Sequence, residues 1–239
     1  MIGLSIDVDY FSYENLLWDW GHTESNPIYT TSAIWMIRHQ YQDLFEECDV
    51  KHADIHPASL FNRLIEDGFS FSRKTKIGCG WSHRYAYDFF KPYKLDRIIN
   101  IDAHHDMWER DVIDCGSWGY HLQKETGVKF KWVCPKHIYK DLDLDDILKY
   151  QAISINEIRA FAGKVGAIYI CQSPVWLPPF NDEWYHFLIM AASGHCGRSN
   201  LTRNWGYVNR DMPSREEMER SRLECQEQIK QLFASNTKS

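Results

Sequence analysis

The 239-residue sequence has no hydrophobic run long enough to cross a membrane, since no stretch approaches about 18 uninterrupted apolar residues. Its first residues also lack the basic segment and apolar core of a secretion signal. Positive charge is scarce, because 27 Lys and Arg stand against 33 Asp and Glu, a formal net charge of -6. A nucleic-acid-binding face normally shows as a basic excess. We therefore expect a cytoplasmic protein whose partners include neither a membrane nor a nucleic acid.

The cysteines lack the spacing that a disulfide framework or a structural zinc site requires. There are seven, an odd number, and no two form a C-x-x-C pair. Internal repeats and low-complexity tracts are also missing. The sequence therefore predicts reduced, mostly buried thiols. The cysteines are Cys48, Cys79, Cys115, Cys134, Cys171, Cys196 and Cys225.

What is present is a regular alternation of β-rich and helical segments. The hydrophobic fraction of 44% and the charged fraction of 25% are typical of a globular protein, and the length suits one domain over residues 1–239. The alternation predicts an α/β fold with a mainly parallel sheet flanked by helices. Strands are predicted at 2–8, 76–80, 97–103, 128–134 and 165–172, and helices at 30–48, 57–68, 144–150, 155–163, 182–192 and 214–234, with a loop over 193–212.

Two of these predicted strands end in acidic residues. "NIDAHHDMW" follows the apolar run Arg97-Ile98-Ile99, and an extended chain would place Asp102, His104 and Asp106 on one face and His105 on the other. "SIDVD" at 5–9 would place Asp7 and Asp9 on one face in the same way. The carboxyl ends of parallel strands share one edge of the sheet, where ligands of α/β proteins bind. We expect these side chains to meet there.

Carboxylates that converge in a cleft repel one another unless a cation neutralises them, so the pattern predicts a bound metal. Mixed carboxylate and imidazole ligands without a thiolate suit Mn²⁺, Fe²⁺ or Zn²⁺ better than Cu⁺ or a closed structural zinc site. The number of acids indicates two ions, which together generate a nucleophile from water near neutral pH and so indicate a hydrolase. A further ligand is available at His83, in "GCGWSH" at 78–83, where the glycines would allow a tight turn.

These motifs resemble those of the arginase, or ureohydrolase, superfamily. "DAHHD" at 102–106 and "SIDVD" at 5–9 match two of its metal-binding patterns, and "GCGWSH" is a degraded form of a third. The resemblance implies an arginase-like three-layer architecture with two Mn²⁺ ions, other divalent transition metals being open. One ion would take His83, Asp102, Asp106 and Asp7, and the other would take Asp102, His104, Asp7 and Asp9. The motif order is permuted, because "SIDVD" opens the chain.

The wider pattern resembles the peptide arginases. It includes "WDWGHTES" at 18–25, "DCGSWGYH" at 114–121 and "YICQSPVW" at 169–176. This likeness implies an amidinohydrolase that converts arginine in a ribosomally made precursor peptide to ornithine and releases urea, as a post-translational modification in natural-product biosynthesis. The peptide itself and any oligomeric state stay open.

Residues for substrate binding and proton transfer carry a weaker signal than the metal ligands. Glu24 is the candidate partner of the guanidinium group, because a planar, forked cation prefers a carboxylate. The candidate catalytic residues are His22 and His121, which compete as proton shuttle, together with Asp106. Aromatic walls that stack on the substrate are expected from Trp20 and Trp118, with Trp18 and Trp108 as further candidates.

Three other functions are compatible with the same motifs. A hydrolase of a small guanidino compound, such as arginine or agmatine, would act on the free molecule. A metal-dependent phosphoesterase would bring basic residues to the site, yet only Arg84 and Arg110 lie near the motifs. A non-catalytic module would bind metal without turnover and lose thermal stability on chelation.

Overall fold

The computed structural model describes residues 1–12, 28–49, 51, 53–197, 200–210 and 212–236. Within these ranges seven strands form one parallel sheet, in the order β5-β4-β3-β1-β6-β2-β7. The strands are β1 (Ile2–Asp7), β2 (Lys76–Gly80), β3 (Arg97–Ile101), β4 (Lys129–Val133), β5 (Ala152–Ile153), β6 (Val165–Cys171) and β7 (Leu201–Asn204). The helices are α1 (Ile28–Tyr41), α2 (Leu44–Glu47), α3 (Leu60–Glu66), α4 (Tyr85–Phe90), α5 (Trp118–Thr126), α6 (Lys136–Asp141), α7 (Leu144–Tyr150), α8 (Glu183–Cys196) and α9 (Arg215–Asn236).

Helices cover both faces of the sheet, which makes three layers. On one face, strand residues such as Leu4 pack in a cluster with Leu60 of α3 and Leu188 of α8. On the other, Tyr169 packs in a cluster with Phe89 of α4. A parallel sheet buried on both sides requires nearly continuous apolar strands, which is what β6 presents. The predicted α/β fold with a parallel sheet between helices is confirmed.

Several elements differ from the prediction. The segment 193–212 was predicted to be a loop, but α8 continues to Cys196 and β7 forms the edge strand beside β2. All four residues of β7 are exposed, so the strand carries no apolar alternation and is held by main-chain pairing. Helices α4, α5 and α6 were not predicted. Residues 155–161, within the helix predicted at 155–163, form a 3-10 helix. None of the described helices has the length and apolarity that a membrane span needs.

The strand order determines which chain ends meet. At the centre, β1 pairs with β3 on one side and with β6 on the other, and β6 in turn pairs with β2. The ends of β3, β1, β6 and β2 therefore lie side by side at the carboxyl edge. The sequence motifs at 5–9, 78–83 and 102–106 all fall on this edge, although they are far apart along the chain.

The glycines of "GCGWSH" lie within β2 rather than in a turn, so their predicted role was wrong. At Gly78 an added Cβ atom would come within 2.6 Å of the Phe89 ring, and at Gly80 within 2.7 Å of the Tyr169 hydroxyl. Neither glycine has a positive φ angle. They allow the close approach of rings that pack beneath the sheet edge.

This packing gives a first prediction. Gly78→Ala should lower the free energy of unfolding by about 1–3 kcal/mol, because the methyl group overpacks the Phe89 contact. The control is Gly194→Ala in α8, where an added Cβ meets nothing within 4 Å and removal of a helical glycine should stabilise by about 0.5–1 kcal/mol. Urea unfolding of both variants measures the two effects. Equal stabilities would contradict the close packing at Gly78.

Candidate metal centre

The first acidic segment is extended only as far as Asp7, where β1 ends and the chain turns. After β1 the chain enters a 3-10 helix at Val8–Phe11, and the Asp7 carboxylate accepts a hydrogen bond from the main-chain N–H of Asp9 at 3.2 Å. Both acids are buried. The alternation argument was therefore wrong in detail, because it is the turn that brings the Asp9 carboxylate back toward the sheet edge.

The second segment also bends directly after its strand. The Asp102 carboxylate accepts a hydrogen bond from the main-chain N–H of His104 at 2.7 Å and another from the Asn100 amide at 2.9 Å. The indole of Trp132 donates to the Asp102 carbonyl at 2.9 Å. Asp106 has a φ angle of 56°, in the left-handed region that few residues other than glycine adopt. The bend, rather than strand alternation, directs these side chains to one place.

His83 joins the two acidic segments. Its Nδ1 lies 3.1 Å from an Asp7 carboxylate oxygen, 3.0 Å from Asp102 Oδ2 and 2.9 Å from Asp106 Oδ2. Its Nε2 lies 2.6 Å from the hydroxyl of Ser5 in β1. A hydrogen bond at the far nitrogen fixes the ring of a metal-binding histidine and leaves the near nitrogen for the ion.

His104 makes a second cluster beside the first. Its Nδ1 lies 3.2 Å from Asp9 Oδ2 and 3.6 Å from Asp102 Oδ1. Asp9 is fixed further by the main-chain N–H of Ala103, at 3.3 Å, and by the Ser173 hydroxyl, at 3.4 Å. Asp102 thus turns one carboxylate oxygen to each cluster.

The described residues contain groups that could hold a metal ion. In each of three groups the ligand atoms all lie within 4.8 Å of one another. Two of the groups share Asp102, and the third includes a thiol that the sequence analysis did not single out. The groups are His83, Asp102 and Asp106; Asp9, Asp102 and His104; and Asp7, His83 and Cys171.

Burial and mutual repulsion shift the pKa values of the carboxylates in these clusters. Burial, followed by the charge of Asp102, raises the pKa of Asp106 well above its usual range, and burial with neighbouring acids does the same to Asp9. Burial alone would lower the pKa of His83, but the charges of Asp106 and Asp102 outweigh it and raise that pKa. Burial is likewise outweighed at His104, whose pKa is raised by Asp102 and Asp9. Without a metal ion, the charge of the acids is therefore balanced by protons on the imidazoles. A bound divalent cation would supply the same positive charge.

A narrow cleft opens onto these groups. Its volume is about 30 Å³, about the space of one or two water molecules. Its lining includes Trp108 and Trp176, and the Trp176 ring lies 4.7 Å from that of His104. The cleft has room for a metal ion and water beside the carboxylates.

Two further candidates from the sequence lie away from the cleft surface. Trp118 is fully buried, and its indole donates to Asp106 Oδ2 at 2.6 Å, so it supports a carboxylate from behind and offers no wall to a substrate. His121 lies on α5 outside the cleft lining, and its buried Nε2 has no hydrogen-bond partner in the described part of the chain. His105 faces away from the carboxylates and stacks on Tyr150 at 3.8 Å.

Other sequence candidates fall outside the described residues. These are His22 as proton shuttle, Glu24 as partner of the guanidinium group, and the aromatic residues Trp18 and Trp20. Of the two wall candidates that the structure describes, Trp108 and Trp118, it is Trp108 that lines the cleft. Trp176, in "YICQSPVW", lines the cleft but was not predicted to do so. Its position just beyond the carboxyl end of β6 is the sequence signal that could have identified it.

The loop that carries Trp176 is held from behind by a buried ion pair. Arg210 donates to the main-chain carbonyls of Pro174 and Leu177 and pairs with the carboxylate of Asp182. The arginine side chain is fully buried. These contacts fix the loop 173–177, one wall of the cleft, against the chain that follows β7.

A second prediction follows from these contacts of Arg210. Arg210→Met should lower the free energy of unfolding by about 3–5 kcal/mol, because it leaves the Asp182 carboxylate buried without its partner. The control is Arg159→Met, whose side chain is 72% exposed and lies 3.5 Å from Asp67, and this change should cost about 1 kcal/mol or less. Denaturant unfolding compares the two variants. Similar losses of unfolding free energy in both variants would contradict a stabilising role of the buried Arg210 contacts.

Comparison with protein-family models, with curated proteins and with solved structures finds no match to this chain. The observations that support a function are the two clusters that share Asp102, the burial of their carboxylates, and the presence of Asp7 and Asp106 in the cleft lining.

Proposed function

We propose that this protein is a binuclear metal-dependent amidinohydrolase that converts peptidyl arginine to peptidyl ornithine and urea. One observation carries the proposal. Asp102 Oδ2 lies 3.0 Å from His83 and Asp102 Oδ1 lies 3.6 Å from His104, so one carboxylate serves two clusters. A shared carboxylate is the arrangement that a pair of neighbouring ions needs. The "DAHHD" and "SIDVD" motifs, which resemble those of arginases, supply five of the ligands.

Manganese is the proposed metal. Carboxylate oxygens dominate both clusters, each of which adds one imidazole, and ligands of this hardness suit Mn²⁺, with other divalent transition metals as alternatives. When bound, two such ions supply a nucleophile from water near neutral pH and neutralise the buried acids.

The chain's own residues bind and orient the substrate. An acidic cleft attracts a guanidinium cation, and the cleft lining contains no lysine or arginine among the described residues. Glu24 is the proposed partner of the guanidinium group and His22 or His121 the proposed proton donor. Trp108 and Trp176 offer aromatic faces on which a planar cation stacks. Asp106 accepts a hydrogen bond from the Trp118 indole and orients the ring of His83, whose Nδ1 lies 2.9 Å from its carboxylate.

The reaction balances as a hydrolysis. Water adds its oxygen to the guanidinium carbon, the bond from that carbon to the side-chain Nε breaks, and Nε takes a proton to leave as the ornithine amine. Urea carries away the carbon and the other two nitrogens. The residue therefore loses a CH₂N₂ unit, which mass spectrometry detects in an intact peptide.

The test is urea release from an arginine-containing peptide with blocked termini, compared with free arginine and agmatine, using manganese-loaded protein. We expect urea from the peptide and the corresponding mass loss, with lower activity on the small molecules. Equal or greater activity on free arginine or agmatine would replace the peptide claim by a small-molecule hydrolase. Phosphate release from an aryl phosphate without urea would favour a phosphoesterase, which the absence of basic residues in the described lining does not support.

A further inference from the structure

Cys171 lies between the two strands that lead to the candidate ligands Asp7 and His83. It ends β6, which lies between β1 and β2 in the sheet. In the parallel pairing Cys171 is opposite Asp7 on one side and opposite Gly80 on the other. The chain leaving Gly80 reaches His83 three residues later. His83 must therefore pass over the end of β6 to meet Asp7, and the side chain beneath that crossing belongs to Cys171.

The thiol is close to both ligands. The sulfur of Cys171, a carboxylate oxygen of Asp7 and a ring nitrogen of His83 all lie within 4.8 Å of one another. Cys171 is fully buried, and its Sγ lies 3.7 Å from the carbonyl oxygen of Trp81, in the turn that carries His83. Metal–sulfur bonds of about 2.3 Å and metal–nitrogen or metal–oxygen bonds of about 2.0–2.2 Å fit donor atoms at such separations after small side-chain rotations.

We propose that Cys171 is a thiolate ligand of the metal ion held by Asp7 and His83, an inference that rests on the metal centre of the proposed function. When the ion binds, the thiol proton leaves to solvent and a metal–sulfur bond forms, with no change of oxidation state. The two metal positions then differ in character. The cluster of Asp9, Asp102 and His104 offers oxygen and nitrogen only, whereas the position beside His83 adds a soft sulfur ligand.

Cobalt substitution tests the sulfur ligand without any assay of activity. The metal-free protein is titrated anaerobically with Co²⁺. Elemental analysis measures the cobalt bound, and near-ultraviolet absorption reports on a sulfur ligand. Thiolate-to-cobalt charge transfer absorbs there, and imidazole and carboxylate ligands do not give this band. We expect the band in the wild-type protein and its loss in Cys171→Ser with cobalt still bound. The matched control is Cys115→Ser, since Cys115 lines the cleft but belongs to none of the three groups of ligand atoms, and this variant should keep the band.

The outcomes separate this inference from the proposed function. Cobalt bound by the wild type without the band would overturn the sulfur ligand and leave the metal centre standing. A band that persists in Cys171→Ser, or that disappears in Cys115→Ser, would also overturn it. Failure of the wild type to bind cobalt or manganese at all would remove both proposals. Absence of the band from the wild type overturns the proposal without any variant. If circular dichroism shows that Cys171→Ser fails to fold, Cys171→Ala takes its place in the cobalt titration.

Discussion

Replacing Asp102 with alanine is expected to abolish metal retention and urea formation together. Asp102 is fully buried, and its two oxygens face His83 and His104 separately. Loss of a group that only supports a ligand typically costs about 10–100-fold in metal affinity or activity, so loss of a shared direct ligand should exceed roughly 100-fold. Elemental analysis after gel filtration measures the metal, and urea release from a blocked arginyl peptide measures turnover.

The matched control is Asp67→Asn, which also removes a buried carboxylate. Asp67 pairs with Arg63 at 2.6 Å, away from the cleft. This variant should lose stability but keep its metal, because it disturbs no residue of the clusters. Asp102→Ala protein that retains two ions per chain would refute the shared-ligand arrangement. Loss of urea formation with full metal content would instead reassign Asp102 to the substrate.

Removal of the metal is expected to lower the melting temperature, and the difference should widen as the pH rises from about 6 to about 8. With free metal at 100 times its dissociation constant, binding contributes about 2.7 kcal/mol, or roughly 5–10 °C for a chain of this size. The pH dependence comes from His83 and His104, whose pKa values are raised in the metal-free protein.

The sign follows from linkage. A histidine whose pKa is raised by folding stabilises the metal-free protein fully below its unfolded pKa, and that contribution is lost as the pH rises through its folded pKa. Asp9 and Asp106, whose pKa values are also raised by folding, act in the same direction. A metal ion requires neutral imidazoles, so its binding strengthens over the same rise. The chelated protein therefore loses stability while the loaded protein gains it.

Calorimetry of manganese-loaded and chelated protein at several pH values makes the measurement. Asp102→Ala serves as the control, because a chain that retains no metal should melt at one temperature with and without chelator. A difference that stays constant with pH, or that narrows, would show that these imidazoles do not exchange protons for the ion. No difference at any pH would argue against a metal centre.

The position of the acidic motifs was predictable, but their local geometry was not. Parallel strands end at a common edge, so "DAHHD" after β3 and "SIDVD" at the end of β1 had to lie on that edge. The argument from alternating side chains failed, since Asp9 lies in a 3-10 helix and Asp106 in a left-handed bend. Such turns are decided by local hydrogen bonds, which a pattern of residue types does not specify.

The residues that support the ligands were mostly missed, because their roles arise from contacts across the sheet. Ser5 is 78 positions from the His83 that it contacts, and Ser173 is 164 positions from Asp9. Trp118 was assigned to the substrate because aromatic residues near a motif often form walls. Its burial against Asp106 shows that an indole can instead serve as a hydrogen-bond donor within the core.

The sequence alone determined the α/β class, the parallel sheet and the three segments that carry the acids and imidazoles, because periodicity and strand ends are local properties of a chain. Only the tertiary structure decided that β6 lies between β1 and β2, which brings Cys171 under His83, and that Asp102 divides its oxygens between two clusters. Strand order and side-chain direction depend on how distant segments pack, and packing is a property of the whole fold.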